Sequence, residues 1–438
     1  FYKILNHREN KIKFTFNFLF YKYIKNFYKI SINLIKSLIF ISIYLKRNYF
    51  LFNFKKKIKI NKKTLILVSY FTHLKNYKNK DNVFYSNQWG DLENKLKNIN
   101  INVLYLHLYE KSSSSYNERQ IKNFLKNNNS HYFFQNYLSI FDISIIILNF
   151  LKIYTKFFWN NLFYNTGEIY NNDPLFNLID KEFINSISGP TLFENLVYEK
   201  VFNNFFKINN NKLPIIYLME NQPWEYSLLR NAQKFKNIKT IGYPHTTINP
   251  WHLNYSFNAN FNKLPDFVYS SGKLNFEKLS SQIELRNKIK KVESLRYSQL
   301  ILQNTESRIN KNKILILGDY IDNNNKLFFN LKFNKMNEIN GYSFCFKPHP
   351  SKAMQIKDNN KIPIIYDDIK DIINNYDIFI CCNSTASSAE LYQNNKIVLI
   401  YIPKNKVNLS PFLQTINIEN LYFFSDINEL FQILKSID

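Results

Sequence analysis

The sequence predicts an α/β protein with two Rossmann-like domains that follow a basic, aromatic and helical N-terminal extension. Two observations predict this fold class. Short, nearly continuous apolar runs alternate with helical patterns, as they do where buried strands form a parallel sheet. The pattern then restarts after a charged helical stretch at residues 276–308, which indicates a second domain. The 438 residues are enough for two domains and an extension.

The composition is that of a folded protein. Hydrophobic residues make up 45% of the chain and aromatic residues 17%, and a disordered chain is poorer in both. Three cysteines, Cys345, Cys381 and Cys382, are too few for a disulfide framework, which favours a reducing, cytoplasmic setting. They also lack the spacing of a metal site. The pair Asp367-Asp368 could hold a divalent ion but is more typical of an exposed turn, so we expect no metal and no cofactor.

Residues 1–60 are predicted to form basic helices that do not span a membrane. Lysines alternate with aromatic residues there, and the longest charge-free stretch between residues 14 and 54 is Ser37–Leu45. That is shorter than the roughly 20 apolar residues that cross a bilayer. A basic, aromatic helix suits the surface of an anionic membrane, so we expect this contact. The alternative is a helical hairpin that packs on the globular body. Tyr137–Leu151 is also too short to span and is predicted to be a buried helix or a strand pair.

The net charge of +25 suits an anionic partner. Nucleic acid is one such partner, but the sequence contains no nucleic-acid recognition motif and no Gly-aromatic platform. We therefore predict no nucleic-acid partner.

The predicted domains cover residues 61–265 and 266–438, with the boundary near Leu264-Pro-Asp266. The buried strands of the first domain are predicted at Thr64–Phe71, Ile101–His107, Leu213–Met219 and Thr240–Tyr243. Those of the second are predicted at Lys313–Asp319, Ser343–Phe346, Pro363–Tyr366, Ile378–Cys382 and Ile397–Tyr401. Two such domains facing each other form a cleft at the carboxyl ends of their strands, where α/β sheets bind ligands.

The segment Phe346-Lys-Pro-His-Pro350 directly follows a predicted strand. Two prolines restrict the backbone on either side of His349. Lys347 would supply a positive charge and His349 a hydrogen-bond donor, which is what a phosphate-bearing leaving group needs. The alternative is an ordinary proline-rich turn with exposed charge.

The segment Asn383-Ser-Thr-Ala-Ser-Ser-Ala-Glu390 connects a predicted buried strand to a helix. Small hydroxyl residues at a helix start cap it, and the free N–H groups there can bind an anion. Four hydroxyls within five residues exceed what capping requires, which favours a phosphate site. A simple cap without a ligand is the alternative.

Together, these two segments resemble the donor domain of GT-B transferases that use CMP-activated acidic sugars, the bacterial Kdo and sialic acid transferases. The resemblance implies that Glu390 reaches the ribose. It also implies that six residues hold the nucleotide and its phosphate: Lys347, His349, Ser384, Thr385, Ser387 and Ser388.

The first half of the chain resembles bacterial surface carbohydrate biosynthesis proteins of the O-antigen type. The matching segments are Gln88–Leu92, Tyr217–Glu225 and Ile241–Thr247. One motif of the transferases is missing, because their acidic-acidic-Gly base motif is represented only by Gly90-Asp91 in reversed order.

Three residues at predicted strand ends or loops are candidates for the catalytic base: Glu220, His245 and Asp91. Glu220 ranks first because it follows a buried strand and would face the cleft. Its alternative role is a contact with the start of the helix at Pro223–Phe235. His245 is alternatively a ligand of an acceptor phosphate.

The predicted function is therefore that of a glycosyltransferase at the cytoplasmic face of the cell membrane. It would move a sugar, such as CMP-activated Kdo, from a nucleotide donor onto a capsule or O-antigen polysaccharide or its lipid-linked precursor. The reaction is expected to invert the anomeric carbon by direct displacement and to need no metal. The alternatives are an inactive scaffold of polysaccharide assembly, a CDP-glycerol phosphotransferase and a UDP-sugar epimerase.

Overall fold

The computed structural model contains two parallel sheets, of seven and five strands, and a two-stranded hairpin. It describes residues 27–28, 30–52, 63–71, 74–77, 80–84, 86, 88–109, 118–163, 185–209, 213–246, 248, 255, 264–295, 313–319, 323–325, 342–349, 362–367, 369–383, 385, 387–412 and 419–437.

The strands of the larger sheet are β1 (Thr64–Tyr70), β4 (Asn102–Leu108), β5 (His131–Phe133), β6 (Leu213–Leu218), β7 (Ile238–Tyr243), β8 (Phe267–Ser271) and β9 (Ile289–Val292). Those of the smaller sheet are β10 (Lys313–Leu317), β11 (Ser343–Lys347), β12 (Ile378–Cys382), β13 (Ile397–Tyr401) and β14 (Leu421–Phe424). The hairpin consists of β2 (Leu74–Tyr77) and β3 (Lys80–Phe84).

The helices are α1 (residues 30–52), α2 (Leu92–Asn98), α3 (Glu118–Asn127), α4 (Ile140–Phe163), α5 (Pro190–Ile208), α6 (Pro223–Ala232), α7 (Gly272–Ser280), α8 (Ile369–Ile372), α9 (Ser387–Gln393) and α10 (Ile427–Ile437). Short 3₁₀ turns occur at Phe134–Tyr137 and Ile373–Asn375.

The larger sheet has the strand order β5-β4-β1-β6-β7-β8-β9. Its interior strand β1 is buried along almost its whole length and pairs in parallel with β4 and β6. Such a strand has no solvent-facing side, which explains why its sequence is a nearly continuous apolar run.

The smaller sheet has the order β11-β10-β12-β13-β14, and all of its pairings are parallel. Ile314 and Ile316 of β10 belong to one core cluster, whereas Leu315 and Leu317 belong to another. Alternate residues of one strand therefore pack on opposite faces of the sheet. Cys381 and Cys382 are likewise buried on opposite faces, where burial raises the pKa of both thiols.

These strand orders confirm the predicted α/β fold class with two Rossmann-like sheets. The predicted strand at Pro363–Tyr366 is reduced to a single bridge between Phe346 and Ile364. Strands β2, β3, β5, β8, β9 and β14 were not predicted. The first five contain polar residues and so lack the continuous apolar run of a buried strand, and β14 has only four residues.

The chain divides into two compact units. The first comprises residues 1–85, 96–242 and 262–266, and the second comprises residues 86–95, 243–261 and 267–438. The strand order and these units divide the chain differently after residue 266. Strands β8 and β9 belong to the second unit but extend the larger sheet, most of which belongs to the first. The predicted limits of 61–265 and 266–438 therefore stay a prediction.

Helices α1 and α4 are neighbours in the first unit. The rings of Phe27 and Phe158 are 5.7 Å apart, and the Tyr154 hydroxyl donates to the carbonyl of Ile30 at 3.4 Å. The segment Tyr137–Leu151, predicted as a buried helix or strand pair, begins at the last residue of a 3₁₀ turn and forms the first half of α4, one face of which is exposed. Among the described residues, no helix is both long and apolar enough to cross a membrane.

Candidate functional site

Each sheet has a switch point, where the strand order reverses about one strand. In the larger sheet β1 lies between β4 and β6, and in the smaller sheet β10 lies between β11 and β12. Connections that leave such neighbouring strands run to opposite faces of the sheet, and the crevice between them is where open α/β sheets bind ligands. Residues at the carboxyl ends of these strands are therefore the structural candidates for function.

Glu220 lies at the switch point of the larger sheet, two residues after β6. The hydroxyl of Tyr70, the last residue of β1, donates a long hydrogen bond of 3.5 Å to Glu220 Oε2. Nε1 of Trp224 in turn donates to the Tyr70 hydroxyl at 3.2 Å. Burial raises the pKa of Glu220, and the Tyr70 hydrogen bond acts in the opposite direction. A half-buried carboxylate with a raised pKa at this position has the properties of a general base.

The helix-start contact proposed as the alternative role of Glu220 is made by Glu225 instead. The carboxylate of Glu225 accepts hydrogen bonds of 3.0 Å from the backbone N–H groups of Glu220, Asn221 and Gln222. Its side chain lies in the first turn of α6 and is almost completely buried. Asn221 has a φ of 60°, so the loop turns back over the carboxylate. Burial raises the pKa of Glu225 to about 8, although the three backbone hydrogen bonds oppose this. Glu225 therefore holds the backbone that carries Glu220.

His245 lies two residues after β7 and is buried. The residues on either side of it are fixed by hydrogen bonds: the Ser271 hydroxyl donates to Pro244 O at 3.2 Å, and Asn275 Nδ2 donates to Thr246 O at 2.9 Å. His245 thus belongs to an anchored loop at the carboxyl end of a strand.

Asp91 directly precedes α2 and interacts with that helix. Its carbonyl accepts from the N–H of Lys95 at 3.1 Å, and its carboxylate accepts from the Asn94 side chain. Asp91 and His245 belong to the second compact unit, whereas Glu220 belongs to the first.

The two tryptophans near these candidates are packing residues. Trp89 is 1% exposed and stacks on Tyr243 with ring centroids 5.8 Å apart. Trp224 is 3% exposed and contacts the ring of Tyr70.

The switch point of the smaller sheet contains the turn Gly318-Asp319 after β10. The N–H of Gly318 donates to Lys347 O at 2.9 Å, which joins this turn to the end of β11. A Cβ atom at Gly318 would lie 2.7 Å from Phe346 Cζ, so a larger residue there would have to displace the buried Phe346 ring. Asp319 is buried, and its carboxylate accepts from Asn324 Nδ2 at 2.8 Å.

Lys347 and His349 lie at the end of β11, next to the contact between Gly318 and Lys347. Lys347 is the last residue of β11 and is half-buried, and its ammonium group donates to the carbonyl of Asp367. Burial lowers the pKa of the half-buried His349, and the charge of Asp319 opposes this. The lowered pKa favours the uncharged imidazole of His349, which can donate one N–H, while Lys347 contributes the positive charge.

The hydroxyl-rich segment Asn383–Glu390 follows β12, on the other side of the same switch point. The Thr385 N–H donates to Cys382 O at 3.0 Å, and the Ser388 hydroxyl donates to Thr385 O at 2.8 Å. The Oγ1 atom of Thr385 is buried and has no hydrogen-bond partner among the described residues. Ser387 and Glu390 lie in the first turn of α9, and Ser384 lies outside the described residues.

The structure brings most of the predicted donor residues to one edge of the smaller sheet. β11 and β12 flank β10, so the Lys347 and Thr385 loops leave strands about 10 Å apart. Tyr70 and Asp319 were not predicted as site residues. Tyr70 ends a buried apolar run, and Asp319 follows one two residues later. This position at a strand end is the sequence feature from which they could have been predicted.

Among the described residues, no group of three or more His, Cys, Asp or Glu side chains could hold a metal ion.

No protein-family model matches the chain, and no curated protein matches it in sequence. Among solved structures it is similar to UDP-N-acetylglucosamine 2-epimerase from Rickettsia bellii, at 10% identity and a TM-score of 0.46 over 85% of this chain and 87% of that one. It is also similar to TarM, at 9% identity and a TM-score of 0.45 over 86% and 91%. A third is a glycosyltransferase from Rickettsia africae ESF-5, at 14% identity and a TM-score of 0.42 over 86% and 89%. Likeness at this level carries no argument about activity, and the fold assignment rests on the strand orders.

Proposed function

We propose that the chain is a glycosyltransferase that uses a nucleotide-activated sugar. One observation carries the proposal: Lys347 and His349 lie at the end of β11, joined to the Gly318-Asp319 turn at the switch point of the smaller sheet. A cation, a neutral imidazole donor and the buried Thr385 hydroxyl at one sheet edge suit a nucleotide phosphate.

The proposed reaction is a direct displacement. Glu220 accepts the proton of an acceptor hydroxyl, whose oxygen forms the new bond to the anomeric carbon. The bond from that carbon to the donor phosphate breaks, and the nucleotide leaves with the electron pair. Lys347 and His349 stabilise the charge that develops on the leaving phosphate. The acceptor is a surface polysaccharide or its lipid-linked precursor, and the favoured donor is a CMP-activated acidic sugar.

A nucleotide-binding screen tests the proposal. Calorimetry and thermal shift with CMP, CDP, UDP, GDP and their sugars, without added metal, are expected to show selective binding of CMP. Each of Lys347→Ala and His349→Ala should weaken it about 10-fold or more, since each removes a hydrogen bond to a charged group. Lys435→Ala, at an exposed lysine of α10, is the matched control and should bind normally.

The other outcomes of the screen separate the alternatives. Selective binding of UDP or CDP would contradict the proposal that the donor is a CMP-activated acidic sugar. It would favour a different transferase, a phosphotransferase or an epimerase. Failure of every nucleotide to bind would overturn the enzyme proposal and leave an inactive scaffold.

The proposed membrane contact includes α4 as well as α1. Ile35 and Ile39 of α1 are 58% and 55% exposed, and Phe141 and Leu148 of α4 are 73% and 66% exposed. The exposed basic residues of the two helices are Lys36, Lys46, Arg47, Lys152 and Lys156. Helix α1 contains no acidic residue, and the single one of α4, Asp142, pairs with Lys200 at 3.0 Å. An apolar face bordered by cations suits an anionic lipid surface.

Vesicle co-sedimentation tests this contact. The protein is expected to bind phosphatidylcholine vesicles that contain phosphatidylglycerol, to bind phosphatidylcholine alone more weakly, and to dissociate as salt is added. Phe141→Glu should reduce binding several-fold because it places a charge in the apolar face. Ile283→Glu, at a position 82% exposed and outside both helices, is the control. Equal binding by Phe141→Glu and Ile283→Glu would rule out the α1/α4 face.

A further inference from the structure

A cavity of about 320 Å³ lies in the first unit between α1, the end of β4, the 3₁₀ turn and α5. It is lined by Phe40, Ile43, Tyr44, Arg47, Asn48, Leu108, Tyr109, Gln135, Glu194, Val197 and Tyr198. This cavity has no role in the transfer reaction proposed above. Its volume is at the small end of the range for ligand sites, roughly 300–1,000 Å³.

Two of the lining residues carry a buried acceptor without a hydrogen-bond partner among the described residues: Asn48 Oδ1 and Gln135 Oε1. Burial raises the pKa of Tyr44, and a hydrogen bond with the Gln135 side chain acts in the opposite direction. Buried polar groups are nearly always paired, because an unpaired one destabilises the fold. Two unpaired acceptors beside one cavity indicate a ligand that supplies hydrogen-bond donors.

The other lining residues indicate which class of ligand the cavity can bind. Four of the lining residues are aromatic, and these provide flat apolar surfaces: Phe40, Tyr44, Tyr109 and Tyr198. The charges of Arg47 and Glu194 are opposite, so the lining carries no net charge. Flat apolar walls with carboxamides and a hydroxyl suit a neutral, hydroxyl-rich ring, which is a sugar.

The cavity lies at the same edge of the larger sheet as Glu220. Leu108 ends β4, and Glu220 follows β6. Because β4, β1 and β6 are consecutive strands, β4 and β6 lie about 10 Å apart. Packed aromatic rings connect them. Phe134 contacts Tyr198 of the cavity at 6.3 Å between ring centroids and Trp224 at 6.0 Å, and Trp224 contacts Tyr70 at 6.3 Å.

We propose that this cavity binds a neutral sugar unit of the acceptor. That the sugar is part of the acceptor rests on the proposed function, whereas sugar binding itself rests on the cavity. Helix α1 is then part of the substrate site as well as of the membrane-facing surface. Ile43 and Arg47 line the cavity and are also exposed on α1, so a sugar can occupy the cavity while an attached lipid lies along the helix.

Saturation-transfer NMR on the full chain tests the proposal, with methyl glycosides of neutral hexoses and of N-acetylhexosamines as probes. At least one glycoside is expected to bind. Asn48→Leu and Gln135→Met replace buried carboxamides by apolar groups of similar size, and each should weaken that binding about 10-fold. Tyr44→Phe is the mildest change and should weaken it several-fold. Asn149→Leu, at an exposed position of α4 outside the cavity, is the matched control and should leave binding unchanged.

The melting temperature distinguishes a ligand site from a structural cluster. If the carboxamides serve a ligand, the melting temperatures of the apolar variants should change little. Each variant removes an unpaired buried acceptor, but each also loses one hydrogen bond, such as that from Asn48 Nδ2 to Tyr44 O at 2.9 Å. Lower melting temperatures with undiminished glycoside binding would assign the residues to folding and overturn the proposal. So would the failure of every glycoside to bind.

Nucleotide binding, measured on the same samples, separates the two proposals. Binding of a nucleotide without any glycoside would overturn the sugar cavity alone. Binding of a glycoside without any nucleotide would overturn the proposed transferase and leave a sugar-binding protein.

Discussion

Glu220→Gln is expected to lower kcat for sugar transfer about 10²- to 10⁴-fold, the usual contribution of a positioned general base. Glutamine keeps the size of the side chain and its contact with Tyr70 but cannot accept a proton. Nucleotide affinity should not change, since the donor residues belong to the other sheet. Steady-state kinetics with the donor identified by the nucleotide screen, together with calorimetry, check both parts.

The pH profile identifies the group that this variant removes. The base acts in its ionised form, so kcat/KM should rise as pH increases through the pKa of Glu220, which burial raises above its usual value. In Tyr70→Phe the hydrogen bond that lowers this pKa is absent, so the rise should move to higher pH. If Glu220→Gln retained a nearly normal kcat, the base would be His245 or Asp91 instead. The variants His245→Gln and Asp91→Asn would then decide between these two residues.

Glu225→Ala is expected to destabilise the protein by about 3 kcal/mol or more, because three backbone N–H groups around a buried site lose their acceptor. The turn at Asn221, with its positive φ, would also lose its support. Urea unfolding followed by fluorescence measures the loss. Activity should fall as well, since the same loop positions Glu220. An unchanged midpoint would show that other contacts hold the loop.

Glu225→Gln is the matched comparison for that variant. Its remaining oxygen can still accept from Glu220 and Gln222, while its amide faces the N–H of Asn221, so a smaller loss is expected. The folded pKa of about 8 is higher than the ordinary 4.5, so the folded state retains the proton longer than the unfolded state does. The stability that this proton contributes is complete below about pH 4.5 and declines as pH rises towards 8. The advantage of the wild type over Glu225→Gln should therefore shrink over that interval.

Much of the fold follows from local pattern. The apolar runs that contain β1, β4, β6, β10, β12 and β13 are visible in the sequence because strands buried on both faces contain almost only apolar residues. The end of each run also marks a carboxyl strand end. That is why Lys347, His349 and Glu220 could be proposed as site residues before any neighbour was known.

The tertiary structure decided which of these strand ends meet. Strand order depends on pairing between residues far apart in the chain, so only the folded sheets show Tyr70 beside Glu220 and Gly318 beside Lys347. The roles of Glu220 and Glu225 could not be separated from sequence either, since they depend on the direction of three backbone N–H groups. The cavity under α1 combines residues 40–48, 108–109, 135 and 194–198, and no local pattern records such a combination. By itself, the sequence determined the α/β class and the strand-end positions, because burial leaves a periodic pattern. The site and the cavity required the tertiary structure, because they arise from contacts between distant segments.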